Sequence, residues 1–170
     1  MQTEKIINKL IKQYNLKPHV EGGLYIRHYE SKEDITRDGN IKCKSGSAIY
    51  YLLDKNTLSK FHSISSDELW HYYNGGLLEI HIITKDNNYI IKYLGNSLIY
   101  ENACFCIPVE KGSIFAARVI DGDYVFAGCS LHPEFQINDF KLYEYNELIN
   151  TYPKLKKELD NFFKINNEKM

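Results

Sequence analysis

An all-β domain flanked by a helix at each end is predicted by three features of the 170-residue sequence. Its middle is a series of short runs rich in Ile, Tyr, Val and Phe, broken roughly every 8–12 residues by Asp-Gly, Gly-Gly, Asn-Asn, Gly-Asn and Lys-Gly. Helical spacing of apolar residues precedes that stretch and returns after it. A length of 170 residues against a typical domain of roughly 150 favours a single unit with one core.

Taken in order, Ile6, Ile7, Leu10, Ile11 and Tyr14 lie on one helical face, with Thr3 expected as N-cap and Pro18 as the stop, so residues 1–17 form the N-terminal helix. The barrel is expected over 18–145, with strands near 24–29, 47–53, 60–64, 68–73, 77–84, 88–94, 103–108, 115–119, 124–129 and 141–145. About ten short strands suit a closed or double-sheet β fold, which removes exposed edges by curling. The polar stretch 31–44, with Asp38-Gly39-Asn40, reads as an exposed loop. Leu148, Ile149, Tyr152, Leu155, Leu159, Phe162 and Phe163 then predict a C-terminal helix over 147–165, with Pro153 near a first turn.

Composition narrows the function. Apolar residues make up 44%, and 14 Tyr, 8 Phe and 1 Trp supply ample area to bury. Twenty-one cations against 22 anions leave a net charge of −1, so no basic field gathers nucleic acid. Apolar runs are far shorter than the ~20 residues that span a bilayer, and residues 1–16 carry no secretory leader, so no membrane association and a cytoplasmic location are expected. Cys43, Cys104, Cys106 and Cys129 form no CxxC pair; all are expected reduced, with Cys104, Cys106 and Cys129 buried and the first two of these on one face of a strand.

Candidate chemistry concentrates in 61–76. His62 ends one expected strand and Glu68 begins the next after a Ser-rich turn, so the two could face each other across a hairpin. The two-residue period of a strand places Glu68, Trp70 and Tyr72 on one face and Leu69, His71 and Tyr73 on the other. An imidazole, a carboxylate, an indole and hydroxyls on an inward face would line a small-ligand pocket. His71 and His81 have no acidic neighbour at metal spacing and are expected at the surface or an interface. Only three of the basic residues are arginine, and Arg27 and Arg118 fall in expected strands; each forms an edge ion pair or holds a ligand phosphate or carboxylate. His19 and Glu21 precede Gly22-Gly23, which mark a tight turn over the barrel mouth or a strand-entry corner.

The run His62-x-Ile64-x3-Glu68-x6-Gly75 resembles the first cupin motif, departing from it at Ile64. Four segments are similar to the Cupin_5 branch, the domain of unknown function 985: Pro18 to Gly23, Ala48 to Leu53, Ser66 to Gly75, and Gly128 to Phe135 with Asp139-Phe140. The resemblance implies a cupin double-stranded β-helix, or jelly-roll barrel, similar to the epimerases that interconvert deoxy-keto-hexoses in rhamnose synthesis, and a homodimer. It implies a cavity binding a small polar metabolite such as a sugar or sugar nucleotide, with His62 as acid–base residue, Glu68 or Asp139 orienting it, and Tyr50, Tyr72 or Tyr124 as acid. Tyr50, Trp70, Arg27, Arg118, His19 and Glu21 are the expected ligand contacts. Metal-dependent cupins present three His and one Glu. Here the second His position is Ile64 and the third falls on Phe115, so no cofactor is expected; His62 and Glu68 would hold a metal if one were bound. The alternatives are a metal-dependent cupin enzyme and a non-catalytic binding module.

Overall fold

In the computed structural model, which describes residues 2–167, helix α1 (Gln2–Tyr14) leads into strands β1 (Lys17–Pro18), β2 (Leu24–Glu30), β3 (Asp34–Arg37), β4 (Ile41–Lys44), β5 (Ser47–Asp54) and β6 (Leu58–Ser63). They are followed by β7 (Asp67–Ile83), β8 (Tyr89–Leu94), β9 (Ala103–Cys104), β10 (Cys106–Val109), β11 (Ile114–His132) and β12 (Lys141–Leu142). Helices α2 (Tyr145–Thr151) and α3 (Lys156–Asn167) close the described chain, separated by a short 3-10 turn that begins at Pro153. The single C-terminal helix expected from spacing is therefore broken in two.

The frame is built on two long antiparallel strands, β7 and β11, paired along their length. One half of this ribbon carries β5, β2 and β1 on the β11 side and β10 on the β7 side. The other half carries β6 and β12 on the β11 side and β8 and β9 on the β7 side. Four expected strands are thus the two halves of these two. Between the halves the ribbon bends at register shifts near Asp121 and Val125. Glycine is required at that bend: Gly75 has φ +111°, and a Cβ on it would lie 2.2 Å from the Tyr124 carbonyl oxygen. The layers form an arrangement consistent with a jelly roll, although the strand ladder does not close into a ring. Segment 31–44 is a β3–β4 hairpin turning at Gly39, rather than a loop.

Alternation sorts the side chains as the sequence predicts. Tyr51, Leu53, Trp70, Leu78, Ile80, Phe115, Val125 and Cys129 fill the space between the layers. Leu52, Tyr124 and Phe126 point outward beneath α1, and Phe61, Ile83 and Ile114 outward beneath α2 and α3. Helix α1 is stopped by Asn15 at φ +55° with the Leu16 N–H donating to the Ile11 carbonyl at 3.1 Å, a Schellman closure, so Pro18 is not the stop. Thr3 lies inside the helix instead of capping it. Among the described residues no helix is long and apolar enough to cross a membrane. All four cysteines are free; Cys104 and Cys106 are exposed and fall on different strands, β9 and β10, because the chain switches partners between them.

Candidate functional site

A cavity of about 280 Å³ opens between the layers, and His62, Glu68, Glu21, His19 and Arg27 all line it. Its remaining wall is mostly apolar, with Ile26, Ile49, Ile64, Leu131 and Phe135 among the contributors. His62 is 2% exposed and Glu21 and Glu68 6% each, so their polar atoms reach solvent only through this space.

Glu21 arrives on the turn at His19–Gly23. The His19 N–H donates to the Gly23 carbonyl at 3.0 Å and the Gly22 N–H to the His19 carbonyl at 3.1 Å. A Cβ on Gly22, which has φ +116°, would lie 2.0 Å from the Leu58 carbonyl oxygen, so only glycine lets this turn seat against β6. The Lys60 N–H ties the turn to that strand by donating to the Glu21 carbonyl at 2.9 Å.

With the turn so placed, Glu21 Oε2 stands 3.1 Å from His62 Nε2, and Ser59 Oγ donates to Glu21 Oε1 at 3.0 Å. His62 Nδ1 lies 2.7 Å from the Lys60 carbonyl oxygen, which can only accept, so Nδ1 carries a proton. Nε2 then faces a carboxylate oxygen at ion-pair distance, outside hydrogen-bonding alignment, so the two groups attract when either carries a proton.

Glu68 joins the same cavity from the start of β7. It does not face His62 across a hairpin, because β6 pairs with β11 and β12 rather than with β7. Burial, and the nearby Glu21 carboxylate, push its carboxyl up to about 8. The Cys129 thiol and the Trp70 indole N–H pull in the other direction, although that N–H is within hydrogen-bonding geometry of no acceptor. Burial also raises the Cys129 thiol, and it lowers His19 in spite of Glu21 beside it.

Other expected site residues stand elsewhere. Trp70 is fully buried behind the wall, edge-on to Tyr51 at 5.6 Å. Tyr72 faces inward, but its hydroxyl donates to the Gly75 carbonyl at 2.7 Å near the bend. Tyr50 is on the outer face, stacked on His28 at 4.1 Å and packed against Tyr14. Tyr124 is outward too, bonded to Asn74, and Asp139 is ion-paired with Arg37. Arg118 lies beneath α3, bound to Glu79 and donating to the Phe162 carbonyl at 3.2 Å. His81 is not at the surface: it is 3% exposed, with Nε2 2.7 Å from Glu79 Oε1 and Nδ1 2.7 Å from the Tyr89 hydroxyl. Its acidic partner, two residues back, shares its strand face. Ser59, the Lys60 carbonyl and Tyr25 belong to the site although no motif pointed to them; a lone serine in an apolar strand carries no signal of its own.

The donor set does not match that of a metal-dependent cupin. Phe115 packs its ring on His62 at 4.1 Å and Ile64 lines the wall, so two ligand positions are hydrocarbon. Among the described residues no group of three or more His, Cys, Asp or Glu is placed to hold a metal ion.

An imidazole on the inner wall of a bent double-layered β fold defines a cupin-type protein. More particularly, the chain belongs to the Cupin_5 family of the cupin superfamily (DUF985), whose sequence profile matches residues 8–143. A hypothetical protein from Leishmania major is 25% identical, with a TM-score of 0.85 over 91% of this chain and 96% of its own. A Shewanella oneidensis protein is 29% identical, with a TM-score of 0.80 over 90% and 94%. A cupin 2 conserved barrel protein from Rhodopseudomonas palustris, 10% identical, shares the fold with a TM-score of 0.52 over 86% and 97%. No curated protein matches the sequence.

Proposed function

We propose that the cavity binds a small polar metabolite and that the His62–Glu21 pair moves a proton to or from it, in the manner of a metal-independent isomerase or epimerase. The observation that carries this reading is the approach of His62 Nε2 to Glu21 Oε2, 3.1 Å apart at the wall of the cavity. General acid–base catalysis needs a group that both takes and returns a proton near neutral pH, fixed in orientation and shielded from water. The Lys60 carbonyl fixes the ring and Ser59 fixes the carboxylate, so Glu21 takes the orienting role expected of Glu68. Glu68, Tyr25 and His19 are among the other cavity groups able to donate a proton.

The volume suits a molecule of about hexose size. The wall combines hydrocarbon with polar groups from His19, Glu21, Tyr25, His62 and Glu68, a composition suited to a small polar ligand. We also propose that the protein pairs with a second copy through the outer face bearing Leu69, His71 and Tyr73, of which Tyr73 is 46% exposed.

Deuterium exchange tests the reading. The protein is incubated in D2O with a metabolite extract, and mass spectrometry follows carbon-bound deuterium. At least one metabolite is expected to gain a single deuterium with wild type and not with His62→Asn. Exchange at the same rate with the His62 variant, or none with wild type, would refute it.

A further inference from the structure

We infer that the ligand carries a protonated amine and sets it against Glu68. This rests on the reading of the cavity as a small-molecule site and names what that molecule must present.

The two cavity carboxyls are unequally provided for. Glu21 has His62 on one oxygen and Ser59 on the other. Glu68 is as deeply buried and faces the same space, yet among the described residues it takes part in no ion pair; its close neighbours are a thiol, an indole N–H and another carboxyl. A buried carboxyl with no cation beside it keeps its proton, and Glu68 is accordingly held up to about 8; a cation that ionises it at lower pH has only the cavity to arrive through.

What the protein offers at the cavity's edge argues against an anion as ligand. Arg27 is the lining guanidinium, and it is already engaged: Nη1 pairs with Glu30 at 2.6 Å, Nη2 donates to the Phe135 carbonyl at 3.2 Å, and Glu134 approaches at 3.8 Å. Lys17, the other lining cation, is exposed on β1. The bound molecule therefore meets carboxyls at depth and a neutralised arginine outside. An ammonium group, with three donors and a full charge, satisfies Glu68 and retains N–H groups for neighbouring acceptors, whereas a hydroxyl of the same shape supplies one neutral donor.

Matched pairs decide the matter: 4-aminocyclohexanol against 1,4-cyclohexanediol, and cyclohexylamine against cyclohexanol, measured at pH 8.5, where Glu68 is mostly ionised and the amines stay protonated, by saturation-transfer NMR and calorimetry on chelator-treated protein. Each amine is expected to bind wild type about tenfold more tightly than its alcohol, the difference between a charge-assisted and a neutral hydrogen bond. Glu68→Gln, which keeps the side chain's shape, is expected to bring the ratio near one. Equal binding within pairs, tighter binding of the alcohols, binding of no probe, or an amine preference that survives Glu68→Gln would each overturn the assignment. Should the glutamine variant not fold, the wild-type ratio still decides. None of these outcomes touches deuterium exchange through His62, whose loss would sink the proton-transfer reading without altering the amine-to-alcohol ratio.

Discussion

His62 and Glu21 meet at 3.1 Å, although one is in β6 and the other on a turn before β2. The contact exists because Gly22 seats that turn against the Leu58 carbonyl. The pair is thus held by a backbone approach that only glycine allows.

Removing one partner should show what the pair contributes. In Glu21→Ala, His62 Nε2 loses its carboxylate partner while the ring stays buried. A loss of about 1–3 kcal/mol is expected in urea unfolding, with Glu21→Gln costing less because its amide can still hydrogen-bond the ring. A Glu21→Ala variant as stable as wild type would mean that the pair contributes nothing to the fold.

Glu68 imposes a pH dependence of definite sign. Its carboxyl ionises near 4.5 in an unfolded chain and near about 8 in the fold, so between those values the folded protein holds a proton that the unfolded chain releases. Its stabilising contribution is complete below pH 4.5 and is lost as pH rises through about 8. Between pH 5 and 8.5, wild type should lose a few kcal/mol relative to Glu68→Gln. Parallel stability profiles across that range would show that Glu68 ionises normally.

Arg118 is expected to matter for stability and not for ligands. Arg118→Met leaves buried Glu79 with His81 as its remaining partner among the described residues and removes the guanidinium's donation to the Phe162 carbonyl, at a cost of about 3 kcal/mol, partly recovered by adding Glu79→Leu. Binding of any cavity ligand should be unchanged. A variant that folds with normal stability but no longer binds would return Arg118 to the site.

The bend makes its own demand on the chain. Gly75→Ala places a methyl carbon 2.2 Å from the Tyr124 carbonyl oxygen at φ +111°, so the ribbon must shift and about 3 kcal/mol or more is lost. Gly39→Ala, at φ +77° but with the nearest atom, Ile41 Cγ1, 4.0 Å from the added methyl, is the control and should cost about 1 kcal/mol. Equal costs for the two would mean that conformation, and not close approach, selects glycine at the bend.

Pairing of two chains is checked by sedimentation. Tyr73→Glu places a charge on the outer face near Gly128, and a dimer formed there should become a monomer at micromolar concentration while the fold is kept. A wild-type monomer would refute the pairing, and a dimer that persists in the variant would place it on another surface.

By itself the sequence determined what local chemistry can encode. The two-residue period sorted Glu68, Trp70 and Tyr72 from Leu69, His71 and Tyr73, since neighbouring side chains on a strand must point to opposite faces. It also marked the Gly22-Gly23 turn and the family's motifs from residue 18 to 140, and placed His62 and Glu68 near one another. Partnership was decided only by the tertiary structure. Whether Glu21 or Glu68 meets the imidazole depends on β6 pairing with β11 instead of β7. That Trp70 lies behind the wall, and Arg118 beneath a helix, depends on where the ribbon bends and what covers its outer face. Strand pairing across distant segments arises from the whole core minimising its exposed apolar surface, a condition no short window of residues contains.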